Sequence, residues 1–226
     1  MFPCLTPDVS RSGWSCLGVT LAAMRDWWLR ALLVLQRPRP VFVALREESP
    51  ESLADRSEPV LAVIILAGMA GVLLTSTAGH LLDDGNYDNL NIAIWAFFGG
   101  GIYGASAYWV LGALLYRGSK ALGSLGSYRR SRHVLAFAAV PIALSLILWP
   151  VKLAVYGDDV FRSGGSDSGT GGRVFMALQL VFVVWAAALL VVGIRSVHGW
   201  TWARAAAACA LAVLAPVVVA LALTSL

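Results

Sequence analysis

The stretch Phe175–Ile194 reads FMALQLVFVVWAAALLVVGI and contains no charged residue. About 20 apolar residues in helical form cross a hydrocarbon core roughly 30 Å thick. Water is absent from that core, and a helix satisfies its backbone hydrogen bonds within one segment. This stretch therefore predicts a transmembrane helix, and the chain is interpreted as an integral membrane protein.

Four further stretches share this uncharged, apolar character: Val60–Gly79, Ile92–Leu115, Val134–Val151 and Ala205–Thr224. The whole chain is 58% hydrophobic and 13% charged, whereas soluble domains carry roughly 25% charged residues. A soluble fold would expose far more apolar surface than monomers tolerate. We therefore predict an all-α polytopic membrane protein. Residues 1–58 form its cytoplasmic N-terminal segment, and residues 59–226 form a bundle of five transmembrane helices.

Positive charge is concentrated on one side of the predicted membrane. Cytoplasmic loops carry an excess of Lys and Arg, and most of the 17 basic residues lie before span one, between spans two and three, or between spans four and five. The opposite loops carry aspartates: Asp83, Asp84, Asp88, Asp158, Asp159 and Asp167. This distribution predicts a cytoplasmic N-terminus and an external C-terminus in the cell membrane. It also favours the lipid bilayer over nucleic acid as the partner of the basic residues.

The segment before span one contains two apolar or helix-forming parts. Residues Trp27–Leu35, with arginines around them, predict an amphipathic helix on the cytoplasmic leaflet that ends at Pro38. Residues Arg46–Glu58 fit either a short surface helix or a flexible polar linker. Residues 1–23 do not have the pattern of a signal peptide. The sequence from Met24 onward looks more like a natural start, so the first 23 residues carry no weight in this interpretation.

The predicted spans lack the residues that membrane chemistry uses. They contain no Asp, Glu, Lys, Arg or His, although proton-coupled transport, gating and intramembrane catalysis usually need such a group. The three cysteines form no Cys-x-x-Cys pair, and the three histidines fall on both sides of the membrane. Asp83, Asp84 and Asp88 fit a solvated outer turn better than a cation site. We therefore expect a non-enzymatic protein without cofactor or metal.

Small residues recur along span two at Ala96, Gly100, Gly104 and Gly112. Such a stripe lets a second helix approach closely. That helix belongs either to the same chain, which is the simpler interpretation, or to a second copy. Pro141 in span three predicts a kink, because proline lacks the backbone donor that continues a helix.

The loop between spans two and three is the most promising binding surface. Its basic residues are Arg117, Lys120, Arg129, Arg130 and Arg132. Such a cluster suits anionic lipid headgroups at ~1 kcal/mol per residue, or a membrane-protein partner. The alternative is that these residues only determine the orientation of the chain.

Several short motifs occur in a fixed order around the spans. They are Arg37-Pro38-x-Pro40-x-Phe42, Tyr116-Arg117, Leu122-Gly123-x-x-Gly126-Ser127-Tyr128, Ala139-Val140-Pro141, and Val197-His198-Gly199-Trp200-Thr201-Trp202-Ala203-Arg204-Ala205. In these motifs, residues 37–226 resemble the Yip (Ypt/Rab-interacting-protein) domain family in its bacterial branch. The resemblance implies a five-helix membrane bundle with a cytoplasmic N-terminus. Eukaryotic relatives are associated with Rab GTPases through a longer N-terminal region, so Rab recruitment is not expected here.

Two functions fit these observations. The first is a non-enzymatic scaffold or adaptor that binds membrane-protein partners, itself or anionic lipid. The alternative is a small permease or channel component, in which bent helices present a polar path. The polar positions for such a path are Thr75, Ser76, Thr77, Ser106, Ser145 and Gln179.

Overall fold

A computed structural model describes Leu29 and residues 31–46, 50–75, 77–83 and 88–224. The described residues form helices and short turns, with no strand, which confirms the all-α prediction. Their longer helices are α1 (residues 31–36), α2 (Pro38–Ala44), α3 (Pro50–Leu73), α4 (Asn89–Ala121), α5 (Tyr128–Ala138), α6 (Val140–Leu144), α7 (Leu148–Tyr156), α8 (Thr170–His198) and α9 (Trp202–Thr224). Short 3-10 helices lie at Ala78–His80, Ser145–Ile147, Gly157–Phe161 and Ser166–Ser168.

Three helical stretches in the described part of the chain are long and apolar enough to cross a membrane: Leu90–Ala121, Tyr128–Phe161 and Thr170–His198. Two shorter apolar segments, Val60–Leu73 and Trp202–Leu214, overlap the predicted first and fifth spans in part. Large apolar side chains on α4 and α8 remain exposed; Ile102, for example, is 70% exposed. Lipid accounts for such extensive apolar surface, which water does not tolerate.

The third apolar stretch is interrupted where its sequence contains proline. α5 ends at Ala138, and α6 has Pro141 in its first turn, where a missing N–H does not cost a helical hydrogen bond. A 3-10 turn at Ser145–Ile147 then separates α6 from α7. The predicted single span therefore consists of three short helices in series, and the Pro141 kink lies at the first junction.

The N-terminal region differs from the prediction in two ways. Pro38 begins a new helix, α2, rather than only ending the one before it, because Pro is also well suited to a helix's first turn. The region proposed as a surface helix or linker is continuous with span one from Pro50 onward, as α3. Residues 1–28 and Arg30 lie outside the described residues, whereas Leu29 and residues 31–35 of the predicted amphipathic helix are described and helical.

A core cluster links α2 to the apolar helices. Phe42 is completely buried, and a Cβ placed at Gly193 on α8 would lie 2.9 Å from Phe42 Cε1 and 2.8 Å from Val134 Cγ1 on α5. Gly193 thus leaves space for an aromatic ring between two long helices. A smaller cluster of Ile92, Trp149, Val160 and Phe161 closes the opposite end of the bundle.

The closest helix contact joins α3 to α4. A Cβ at Gly100 would lie 2.6 Å from Met69 Cα, and a Cβ at Gly104 would lie 3.1 Å from Gly68 Cα. The two backbones therefore touch where both helices have glycine. Ala96 is buried on the same helix, whereas Gly112 faces α5. Within this chain, Gly100 and Gly104 serve intramolecular packing.

Substituting Gly104 by alanine tests this contact. The added methyl group meets α3 backbone, so we expect G104A to lower the free energy of unfolding by about 1–3 kcal/mol. G101A is the matched control, because a Cβ at Gly101 on the same helix meets nothing within 4 Å. It should leave stability unchanged or slightly raised. Thermal unfolding in detergent measures both variants, and equal midpoints would contradict the packing described.

Candidate functional site: the arginine face

Basic side chains gather at one end of the bundle, around α2, the α4–α5 loop and the α8–α9 turn. We call this end the arginine face; it carries Arg46, Arg117, Lys120, Arg129, Arg130, Arg132 and Arg204. Arg46 Nε donates to the Ser196 carbonyl at 3.0 Å, and Arg130 Nη2 donates to the Arg46 carbonyl at 2.9 Å. Arg204 Nε donates to the Leu122 carbonyl at 3.0 Å. These bonds connect segments that are far apart in sequence.

Two of the acceptor carbonyls lie at helix C-termini. Ser196 is in the last turn of α8, and Leu122 is the C-terminal cap of α4. The last carbonyls of a helix have no intrahelical donor and carry partial negative charge. Arg46 and Arg204 satisfy these carbonyls with charged donors, which makes the bonds stronger than neutral ones. The arginine face is thereby held together by backbone acceptors.

Aromatic and polar contacts also stabilise the arginine face. The His198 ring stacks on Trp200 with centroids 4.6 Å apart, and Ser124 Oγ lies 3.3 Å from His198 Nδ1. The Arg204 guanidinium lies 4.5 Å from the Trp200 ring centroid. Gly126 is needed beside the histidine, because a Cβ there would lie 2.9 Å from His198 Cε1. The α4–α5 loop therefore packs directly on the α8–α9 turn.

Arg132 lies in a cradle of three rings, which we call the aromatic cradle. Its guanidinium carbon is 3.8 Å from the Trp109 centroid, 4.6 Å from that of Tyr128 and 5.2 Å from that of Tyr108. Tyr128 also donates its hydroxyl to the Trp109 carbonyl at 2.8 Å. A Cβ at Gly112 would lie 3.3 Å from Arg132 Cδ, so this glycine leaves room for the arginine stem.

The five basic residues expected to bind a partner are thus divided by the fold. Arg117, Lys120 and Arg129 are exposed. Arg130 bonds to the Arg46 carbonyl, and Arg132 lies within the aromatic cradle. Sequence reasoning missed the roles of Arg46 and Arg204, which it counted only as positive charge. Their carbonyl acceptors are distant in sequence, so no local pattern reveals them.

A family model described as the Yip1 domain matches residues 32–224. The chain belongs to the Yip1 domain family. The matched region includes every helix from α2 to α9. No curated protein and no solved structure matches the chain. In this Yip1 domain, several residues of the recognised motifs meet at the arginine face: Phe42, Gly126, Tyr128, Trp200 and Arg204.

The opposite end of the Yip1 domain brings together serine, histidine and aspartate. Ser163 donates its backbone N–H to Asp83 Oδ1 at 2.9 Å, and its hydroxyl donates to the same carboxylate. These bonds from Ser163, with a smaller contribution from His80, lower the pKa of Asp83. Both Asp83 and Ser163 contact His80 through the one nitrogen Nδ1. A catalytic relay uses the two ring nitrogens separately, so this arrangement is a loop attachment.

Metal ligands are not clustered in the part of the chain that the structure describes: no three His, Cys, Asp or Glu side chains there are placed to hold an ion. Asp84 and Ser76 lie outside the described residues. Lys152 forms an ion pair with Asp167 at 2.8 Å. This pair joins α7 to the loop before α8, and the polar groups at this end serve structural contacts.

Replacing Arg204 by glutamine tests how the arginine face is held. R204Q removes a charged donor from the Leu122 carbonyl, so we expect a loss of about 1 kcal/mol of stability and faster amide exchange in residues 122–127. R39Q is the control, since Arg39 is an exposed arginine on α2. Hydrogen exchange measured by mass spectrometry compares the variants. Unchanged protection of residues 122–127 in R204Q would show that this bond does not hold the loop.

Proposed function

We propose that this Yip1-family protein is a non-enzymatic scaffold of the cell membrane. It has five transmembrane helices with the N-terminus in the cytoplasm, and its arginine face binds an acidic juxtamembrane segment of a membrane-protein partner, with anionic lipid contributing. Such a partner can be another protein or a second copy of this chain. The preference for Arg over Lys supports placing the protein in the bacterial branch of the family.

One observation carries this proposal: a firmly held surface presents basic groups that have no part in holding it together. Arg46, Arg130 and Arg204 bond to carbonyls within the chain, while Arg117 and Lys120 project from the end of α4. A surface that is already ordered loses little conformational entropy on binding. Leu125, at the tip of the adjacent loop, is 96% exposed and adds an apolar contact beside the charges.

The permease alternative receives less support from the polar positions on which it depends. Ser145 donates its hydroxyl to the Ile142 carbonyl at 2.7 Å, and Thr75 donates to the Val72 carbonyl at 2.6 Å. A hydroxyl that donates to its own helical turn has no donor left for a solute. Gln179 is buried beside a small cavity of about 40 Å³, and Ser106 is exposed on α4, so these two described side chains do not share one lining.

The proposed topology is tested with single cysteines in a background without native cysteines. Ala121, Ala203 and Ser168 are exposed, and each lies in a different connection between predicted spans. We expect a membrane-impermeant maleimide to label S168C in intact cells, and to label A121C and A203C only after the membrane is opened. Labelling of A121C and A203C on different sides would contradict the five-span arrangement.

The scaffold role is tested with a photo-crosslinking amino acid at Leu125 in living cells. We expect one reproducible adduct with a protein that has an acidic juxtamembrane segment, reduced at least about fivefold by R117S/K120S because two charges near the surface are lost. The same crosslinker at the exposed Ser168 is the control and should not give this adduct. A Leu125 adduct that is unaffected by R117S/K120S, or no protein adduct at all, would contradict the proposal. Arg129 is not substituted in this variant, because it lines a cavity in addition to lying on the arginine face.

A further inference from the structure

A cavity of about 250 Å³ opens beside the aromatic cradle, between α3, α4 and α5. α3 contributes Val60, Leu61 and Ile64, and α4 contributes Tyr108 and Trp109 along its wall. The third wall comes from the start of α5 and is polar and basic. The cavity therefore joins an apolar side to a cationic side within a single space.

The basic wall consists of Arg129, Arg132 and His133. Neither Arg129 nor Arg132 forms an ion pair with a residue that the structure describes, and none of the described side chains that line the cavity is acidic. Arg132 Nε is buried and, among the described residues, has no hydrogen-bond partner. Buried donors in native proteins are nearly always satisfied, so Arg132 Nε calls for an acceptor that the described residues do not supply, and the exposed Arg129 beside it adds a second cation.

The aromatic cradle leaves the donors of Arg132 available for such an acceptor. The rings of Trp109, Tyr128 and Tyr108 attract the positive charge, but a ring face accepts no ordinary N–H hydrogen bond. A guanidinium held in this way keeps its planar set of N–H donors, which matches the oxygens of a phosphate group. Arg129, one helical turn earlier, supplies a second cation.

The mouth of the cavity faces the exterior of the bundle, where acyl chains run. Leu61 is 55% exposed and Trp109 is 53% exposed, and both line the cavity. Val110, next along α4, is 55% exposed. Arg132 lies two residues before the apolar stretch that begins at Val134, which places it near the headgroup level of the proposed membrane. A soluble phosphate would make no favourable contact with this apolar wall. A lipid would contact the apolar wall with an acyl chain and the basic wall with its headgroup.

We propose that this cavity binds the headgroup of one anionic phospholipid, with the phosphate between Arg129 and Arg132 and an acyl chain along Leu61 and Trp109. Basic pockets between transmembrane helices are a recurrent way to hold anionic headgroups. A zwitterionic lipid fits less well, because its ammonium group would approach two guanidinium groups. This inference rests on the proposed function, for which it names the lipid and its site.

The test is a titration of the purified full chain in neutral detergent, followed by thermal unfolding and by native mass spectrometry. The probes are short-chain phosphatidylglycerol, phosphatidylcholine with the same acyl chains, glycerol 3-phosphate and inorganic phosphate. We expect a saturable rise in the unfolding midpoint and one retained lipid with phosphatidylglycerol alone. An equal response to phosphatidylcholine would overturn the anionic specificity. An equal response to either soluble phosphate would replace the lipid by a soluble anion.

Two variants locate the binding site. R129Q removes an exposed cation from the cavity and should weaken phosphatidylglycerol binding by about fivefold or more. A105F fills the cavity from α4, where Ala105 is part of the lining, and should weaken binding without a change in charge. R39Q is the charge-matched control and should bind as the wild type does. Wild-type affinity in R129Q would overturn the proposal even if A105F failed to fold.

The outcomes separate this inference from the proposed function. If R129Q loses phosphatidylglycerol but keeps the Leu125 adduct, lipid and partner bind at different positions and both proposals stand. If phosphatidylglycerol fails to bind while the adduct still depends on Arg117 and Lys120, only the lipid site is overturned. If R129Q-sensitive lipid binding is found without any protein adduct, the lipid site stands and the scaffold role is overturned.

Discussion

The bonds between arginine side chains and helix-end carbonyls are the interaction on which the rest of this Yip1 domain depends. Arg46 binds the last turn of α8, and Arg204 binds the C-terminal cap of α4. Each bond satisfies an acceptor that the helix cannot satisfy for itself. The Arg46 bond and Phe42, which is buried against Gly193, attach the segment before α3 to α8. The Arg204 bond attaches the start of α9 to the end of α4.

This arrangement divides the basic residues by their surroundings. Some guanidinium groups donate to carbonyls and hold the fold, whereas Arg132 is held by aromatic rings that use its charge but not its donors. Arg117 and Lys120 remain exposed and are not part of those contacts. A single cluster of positive charge in the sequence therefore divides into an arginine that donates to a backbone carbonyl, an arginine held by aromatic rings, and cations that stay exposed.

Glycine residues allow close contacts at several positions in the fold. Gly104 lets α4 touch the backbone of α3, and Gly112 leaves space for the Arg132 stem. Gly126 allows the α4–α5 loop to lie against His198. The regular spacing of small residues in span two predicted close packing of some kind, but the same spacing serves a helix backbone at one position and a side chain at another. Only the neighbouring elements distinguish these uses.

The sequence by itself determined the helical class, the apolar segments and the family, because composition and segment length depend on local residues and on the thickness of a bilayer. It also identified the α4–α5 loop as basic. The tertiary structure decided that Arg130 holds the fold and that Arg129 and Arg132 share a cavity with Leu61. These facts depend on acceptors and walls contributed by helices distant in sequence, and local patterns contain no information about which distant groups will meet.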